Sequence, residues 1–219
     1  MRRTRIKICG ITSAEDATAA VACGADAVGF NCYERSPRFV ERGRLRELAR
    51  ALPPFVTPVL LFVNAAAEHV RACMAEVPHA LLQFHGDETA ADCERLGRPY
   101  LRAVRMGEGV DLLDFARSFP SAMALLADAP AAGFGGGGKV FDWARLPAPG
   151  QRTMPLVLAG GLDDTNVGDA IGRVRPFAVD VSSGVESAPG IKSGERMRRF
   201  CAAVRQADRR ENPEPTEAA

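Results

Sequence analysis

The chain has 219 residues, with 47% hydrophobic and 25% charged residues and a formal net charge of +1. That size suits one large domain or two small ones, and the near-neutral balance leaves no electrostatic footprint for nucleic acid. No apolar run reaches the length of a membrane span, and the short basic N-terminus leads into a strand instead of an apolar signal region. Six scattered cysteines form no CxxC pair, so they are expected as free thiols in a reducing cytoplasm.

Taken in chain order, apolar strand-like runs alternate with amphipathic helical stretches. Strands are expected at 5–9, 26–30, 59–63, 80–84, 100–104, 122–127, 156–159 and 177–181. Helices are expected at 14–23, 42–51, 66–76, 88–96, 110–118, 164–171 and 194–206, with only a short turn near 142–146 between the sixth and seventh strands. Strict β/α alternation implies a parallel sheet with right-handed crossovers. Eight units in roughly 200 residues imply a closed (β/α)8 TIM barrel near the lower size limit of that fold. A doubly wound open sheet is the alternative. The barrel is expected over 1–207, and the charged, Pro-bearing stretch 208–219 is expected as a frayed tail.

In a barrel, chemistry sits at the carboxyl ends of the strands. Cys9 closes the first strand at a glycine turn, just before a helix that Thr12 or Ser13 can cap. The helix dipole there would favour thiolate, the basic and nucleophilic form. Asp128 follows four apolar residues at the end of the sixth strand, where a partly desolvated carboxyl group can carry a proton. Strand seven runs into Gly160-Gly161, and strand eight into Asp180-Val181-Ser182-Ser183-Gly184. Glycines let the backbone approach an anion, hydroxyls add donors, and a phosphate site in this fold commonly uses these two loops. The expected ligand is a small phosphorylated molecule held by backbone dipoles instead of a cluster of Lys and Arg. Arg38 is placed to clamp a carboxylate, and His85 and Asp180 reach the same rim as candidate substrate contacts. The run Gly133-Phe134-Gly135-Gly136-Gly137-Gly138-Lys139 lacks the P-loop pattern, because Val140 comes after the lysine, and is read as a loop that folds over substrate. His69, His79 and His85 are too widely spaced to suggest a metal cluster.

Lys7-Ile8-Cys9-Gly10-Ile11-Thr12, Ser36-Pro37-Arg38, Gln83-Phe84-His85-Gly86-Asp87-Glu88, Gly138-Lys139-Val140-Phe141-Asp142-Trp143, Leu158-Ala159-Gly160-Gly161-Leu162 and Asp180-Val181-Ser182-Ser183-Gly184-Val185-Glu186 closely resemble the phosphoribosylanthranilate isomerase family, in order over about residues 5 to 205. The resemblance implies a (β/α)8 barrel of tryptophan biosynthesis. It implies conversion of N-(5′-phosphoribosyl)anthranilate to 1-(2-carboxyphenylamino)-1-deoxyribulose 5-phosphate by an Amadori rearrangement, with no metal or organic cofactor. It places the general base at Cys9, the general acid at Asp128 and the anthranilate carboxylate on Arg38. Three departures stand out: no Thr precedes the last glycine of the 135–138 run, Lys192-Ser193 stands where Lys-Asp is usual, and Asn31-Cys32-Tyr33 replaces a more apolar pattern. The competing readings are a metal-dependent epimerase-like barrel, an indole-glycerol-phosphate synthase-like barrel and a catalytically silent sugar-phosphate sensor. A small-molecule substrate is expected, with no nucleic acid or membrane partner; monomer and homodimer both remain open.

Overall fold

The computed structural model describes residues 3–130 and 140–211. Eight parallel strands close into a barrel: β1 (Arg5–Cys9), β2 (Ala27–Asn31), β3 (Thr57–Phe62), β4 (Leu81–Phe84), β5 (Tyr100–Arg105), β6 (Ala124–Asp128), β7 (Leu156–Leu158) and β8 (Ala178–Val181). β8 pairs back onto β1, setting Lys7 against Asp180 in register, so the open-sheet alternative is excluded. Among the described residues seven helices stand between or after the strands: α1 (Ala14–Cys23), α2 (Arg42–Arg50), α3 (Ala67–Glu76), α4 (Ala90–Glu94), α5 (Leu112–Ser118), α6 (Val167–Val174) and α7 (Gly194–Glu211). Between β6 and β7 the described residues hold only 3-10 turns at Trp143–Arg145 and Pro149–Gln151, close to the expected short turn. No helix among the described residues is long and apolar enough to cross a membrane. All six cysteines are unpaired and buried.

Several boundaries differ from the sequence expectation, each for a local reason. α1 starts as expected, but Ser13 is its cap, accepting from the Asp16 N–H at 3.0 Å, while the Thr12 hydroxyl donates to the Gly190 carbonyl at 2.7 Å. α4 starts later than residue 88 because Glu88 is taken by a loop and Thr89 with Asp92 forms a capping box. α6 is shifted toward the C-terminus because Asp163 Oδ1 accepts from the N–H groups of Thr165 and Asn166 and holds that stretch as a turn. The tail boundary expected at 208 is corrected: α7 continues to Glu211, and the Asp208 carboxylate accepts from the Thr4 N–H and hydroxyl at 2.9 and 2.6 Å. A small hairpin, β9 (Glu186–Ala188) with β10 (Ile191–Lys192), comes after β8 and has no counterpart in the sequence expectation. The glycine-rich run at 133–139 and the stretch 212–219 lie outside the described residues.

Strand parity divides the core. Outward residues such as Ile8, Phe30, Leu60, Phe62, Leu82 and Phe84 pack under the helices as one large cluster. Inward residues Leu101, Ala103, Ala124, Leu126, Val157, Ala159 and Ala178 fill a separate inner cluster. Further along the same inward parity, the side chains turn polar: Lys7 then Cys9 on β1, Gln83 then His85 on β4, Asp128 on β6 and Asp180 on β8. A barrel packed by apolar residues below therefore carries a buried group of ionisable residues toward its carboxyl end.

Candidate active site

The β4 loop is fixed first. Arg102 on β5 is buried and donates to the carbonyls of Phe84, Ala103, Gly86 and Glu88 at 3.0–3.2 Å, with its guanidinium over the Phe119 ring at 4.8 Å. Glu88 accepts from the N–H groups of Asn64 and Gly86 at 2.7 and 2.8 Å. The loop that carries His85 is thus tied down by buried polar contacts with no catalytic chemistry of their own.

His85 then reaches across the barrel. Its Nε2 lies 3.0 Å from Asp128 Oδ2, and its Nδ1 lies 3.1 Å from Gln83 Nε2. An amide nitrogen can only donate, so Nδ1 accepts and the ring proton sits on Nε2, aimed at the carboxylate. Asp128 Oδ1 accepts from the Ala129 N–H at 2.9 Å. Sequence reasoning makes His85 a substrate contact, and the structure gives it Asp128 as a partner. Gln83 escapes sequence reasoning, although its position two residues before His85 on a strand puts it on the same face. Its carbonyl oxygen is buried without a hydrogen-bond partner among the described residues.

Cys9 sits at the end of β1, in register with Gly29. Two residues earlier, Lys7 is buried and its Nζ contacts Asp180 Oδ1 at 2.9 Å. Burial opposes the Lys7 charge, but Asp180 and then Cys9 outweigh it and hold the ammonium at about 12. Burial pushes the Cys9 thiol above its ordinary value, against the pull of Lys7; Asp180 adds to the rise and Lys192 opposes it. The expectation of a thiolate favoured by the helix dipole is corrected: burial leaves the thiol above its ordinary value, and the charges that favour its anion are Lys7 and Lys192.

A second buried cluster lies beside it. Arg38 is bound fork to fork by Glu186, with Nε and Nη2 each 2.7 Å from a carboxylate oxygen. Lys192 is fully buried; its Nζ contacts Glu186 Oε1 at 2.8 Å and donates to the Ser182 carbonyl at 3.1 Å. Glu186 therefore occupies the Nε–Nη2 edge of Arg38, and among the described residues the Nη1–Nη2 end remains for a ligand. Glu186 and Lys192 escape sequence reasoning because the β9–β10 hairpin that brings them together has no readable alternation. Asn31 and Ser36 shape the loop: Asn31 Nδ2 donates to Ser36 Oγ, which also accepts from the Arg38 N–H. Gly10, at φ 76°, leaves the space that the Arg38 side chain fills.

The loops after β7 and β8 abut. Gly160 and Gly161 have φ of 82° and 64°, a region closed to most side chains, and Asn166 Nδ2 donates to the Gly161 carbonyl at 2.8 Å. Gly184, in the 3-10 turn Ser183–Val185, packs directly on the Leu162 carbonyl, where a Cβ has no room. Gly160, Gly161, Ser182, Ser183 and Gly184 are half-exposed, on two loops that meet where Gly184 packs on Leu162. Lys192 lies behind Ser182, so backbone dipoles are not the only positive field there.

Residues 6–203 match the family model described as N-(5′-phosphoribosyl)anthranilate (PRA) isomerase. A relative from Leptothrix cholodnii bearing the name N-(5′-phosphoribosyl)anthranilate isomerase is 61% identical over 208 residues, covering 95% of this chain and 94% of its own. The crystal structure of phosphoribosyl anthranilate isomerase from Thermus thermophilus is 36% identical and superposes with a TM-score of 0.83, covering 93% of this chain and 99% of that one. A second crystal structure is of phosphoribosyl anthranilate isomerase in complex with reduced 1-(o-carboxyphenylamino)-1-deoxyribulose 5-phosphate. It is 35% identical over 93% of this chain and 99% of that one, with a TM-score of 0.76.

Proposed function

The chain belongs to the N-(5′-phosphoribosyl)anthranilate isomerase family, an enzyme of tryptophan biosynthesis, and we propose that Cys9 and Asp128 drive its Amadori rearrangement as general base and general acid. The observation that carries this reading is the pairing of two inward-facing strand-end groups on one barrel rim: a thiol flanked by cations and a carboxyl group held by an imidazole N–H.

In this scheme Asp128 delivers a proton to the furanose ring oxygen, which opens the ring and leaves a Schiff base. The His85 Nε2–H then stabilises the carboxylate that remains, so the hydrogen bond strengthens as charge develops. Cys9 removes the C2′ proton, with the cationic imine as electron sink, and the enolamine tautomerises to the ketose. Because the imine carries so much of the developing charge, a thiolate is a sufficient base. The anthranilate carboxylate takes the Nη1–Nη2 end of Arg38, whose Nε–Nη2 edge Glu186 holds rigid. The phosphate lies on the Gly160-Gly161 and Ser182-Ser183-Gly184 loops, with the Lys192 charge behind them. No cofactor enters this scheme.

The test is turnover by the purified protein, followed as loss of phosphoribosylanthranilate fluorescence, together with growth of a tryptophan auxotroph that lacks this step. Fluorescence that persists with protein in excess and an auxotroph that stays dependent on tryptophan would remove the assignment.

A further inference from the structure

Lys7 has no part in the proton transfers of Cys9 and Asp128, yet it is one of the most deeply placed charges in the barrel. Lys7 and Cys9 are two apart on β1 and therefore share the inward face. The position that a Cβ on Gly29 would take lies 2.7 Å from the Cys9 sulfur and 3.2 Å from Lys7 Nζ, so both atoms border the same small space, which only glycine leaves open. The two groups also act on each other's charge: the ammonium favours the thiolate, and the thiolate favours the ammonium. Its own anchor is Asp180, at 2.9 Å across the β8–β1 seam.

We propose that Lys7 is the positioning residue that makes Cys9 a base: tethered by Asp180 beneath the rim, its ammonium stabilises the thiolate and fixes the sulfur on the substrate side of the barrel.

Other charged groups also act on the thiol. Lys192 on β10 and Arg38 after β2 favour its anion, while Asp180 on β8 disfavours it. Glu186 screens the two cations it binds, and His85 with Asp128 act on Asp180 from β4 and β6. Among the favourable charges Lys7 has the largest effect on Cys9, second only to burial itself. A buried charge bordering the same small space as the sulfur is screened little, so its removal is felt there directly.

This inference rests on the reading of Cys9 as the base, but it has a readout that does not depend on catalysis. The ultraviolet thiolate absorbance of the full chain is titrated against pH, with the Cys9→Ser protein subtracted so that the other five thiols and the tyrosines cancel. Lys7→Met should move the Cys9 transition up by at least about one pH unit, a tenfold smaller thiolate population at neutral pH. Asp180→Asn should move it down, because the ammonium is then left to the sulfur alone. The double variant, Lys7→Met with Asp180→Asn, leaves no orphaned buried charge and should fold, with Cys9 still titrating above the wild-type position. A purely structural ion pair predicts no opposite signs for the two single variants. Lys7→Met should also lower kcat tenfold or more, with KM little changed and the ascending, acid-side limb of the pH profile displaced upward. A Cys9 transition no higher in the double variant than in Asp180→Asn alone would overturn the role of Lys7 whether or not Cys9 is the base. A displaced transition in a protein whose kcat is unaffected would keep the electrostatics and remove Cys9 from catalysis instead.

Discussion

Replacing Asp128 by Asn separates proton transfer from binding, and the structure says how the site absorbs the change. The carboxylate accepts two hydrogen bonds, from His85 Nε2 and from the Ala129 N–H. An amide keeps its oxygen toward Ala129 and turns its NH2 toward His85, which sets donor against donor. The conflict is relieved if the His85 proton moves to Nδ1, and that in turn needs an acceptor in place of the Gln83 NH2. Gln83 has one, because its carbonyl oxygen is buried without a hydrogen-bond partner among the described residues, and a half-turn of the amide brings it round. The whole chain reverses without losing a hydrogen bond, so binding should suffer by no more than about 1 kcal/mol, the net worth of one such bond. Turnover has no such escape, because an amide gives up no proton to the ring oxygen. General acid catalysis contributes about 10²- to 10⁴-fold, roughly 3–5 kcal/mol. The Asn variant should therefore lose that much in kcat while still binding the reduced product analogue almost as well as the parent. The assay pairs kcat from substrate fluorescence with analogue affinity from calorimetry. A kcat within about fivefold of the parent, a barrier change near 1 kcal/mol, would mean that solvent or another group opens the ring and that Asp128 only closes β6.

Cys9→Ser should lose most activity with fold and phosphate binding retained, since a hydroxyl cannot serve as base near neutral pH; a rate above about a tenth of the parent would remove Cys9 from the base role. Arg38→Ala should raise KM by about ten- to a hundredfold, because a charge-assisted pair is worth about 1.5–3 kcal/mol, while Glu186 stays neutralised by Lys192 at 2.8 Å. An unchanged kcat/KM in that variant would place the anthranilate carboxylate elsewhere. Glu186 offers a stability test. Burial pushes its carboxyl group up, but the hydrogen bonds from Arg38 and Lys192 outweigh that and leave it below its ordinary value. A depressed carboxyl adds stability above its unfolded value, near about 4.3, and loses it as the pH falls through the folded value. Glu186→Gln should accordingly flatten the loss of stability on acidification, read from urea midpoints across that range. A variant with the parent's acid slope would deny Glu186 that share.

The barrel was legible because its cause is local and repeated. β1 and α1 have the bounds their sequence suggests, since Arg5–Cys9 alternates cleanly and Ser13 caps the helix behind it. β3 begins two residues earlier than expected, at Thr57-Pro58, because proline reads as a strand breaker and here pairs beside Val28 within the sheet. α7 runs past its expected end for the opposite reason. Its charged last turn reads as solvated chain, and only the contact between Asp208 and Thr4 at the other end of the molecule shows why it stays helical. The β9–β10 hairpin, three residues against two, is too short for any periodicity to register.

The site divides along the same line. Which residues can act at the rim depends on strand parity and strand ends, and these alone put Cys9, Asp128 and the glycine and serine loops together. What each acidic or basic group touches is not set that way, because the partners lie far apart in the chain: 173 residues between Lys7 and Asp180, 148 between Arg38 and Glu186, 43 between His85 and Asp128. Those partners decide the chemistry. Arg38 presents its Nη1–Nη2 end to a ligand because Glu186 has the Nε–Nη2 edge, and His85 serves Asp128 because Gln83 fixes its tautomer. Lys7 is the intermediate case. Its parity with Cys9 is visible in the sequence Lys7-Ile8-Cys9, and a lysine in the middle of an inward strand face is costly to bury without a purpose. The closure of β8 onto β1 supplies Asp180 as the counter-charge, and with it the condition under which an ammonium can remain charged beside a buried thiol.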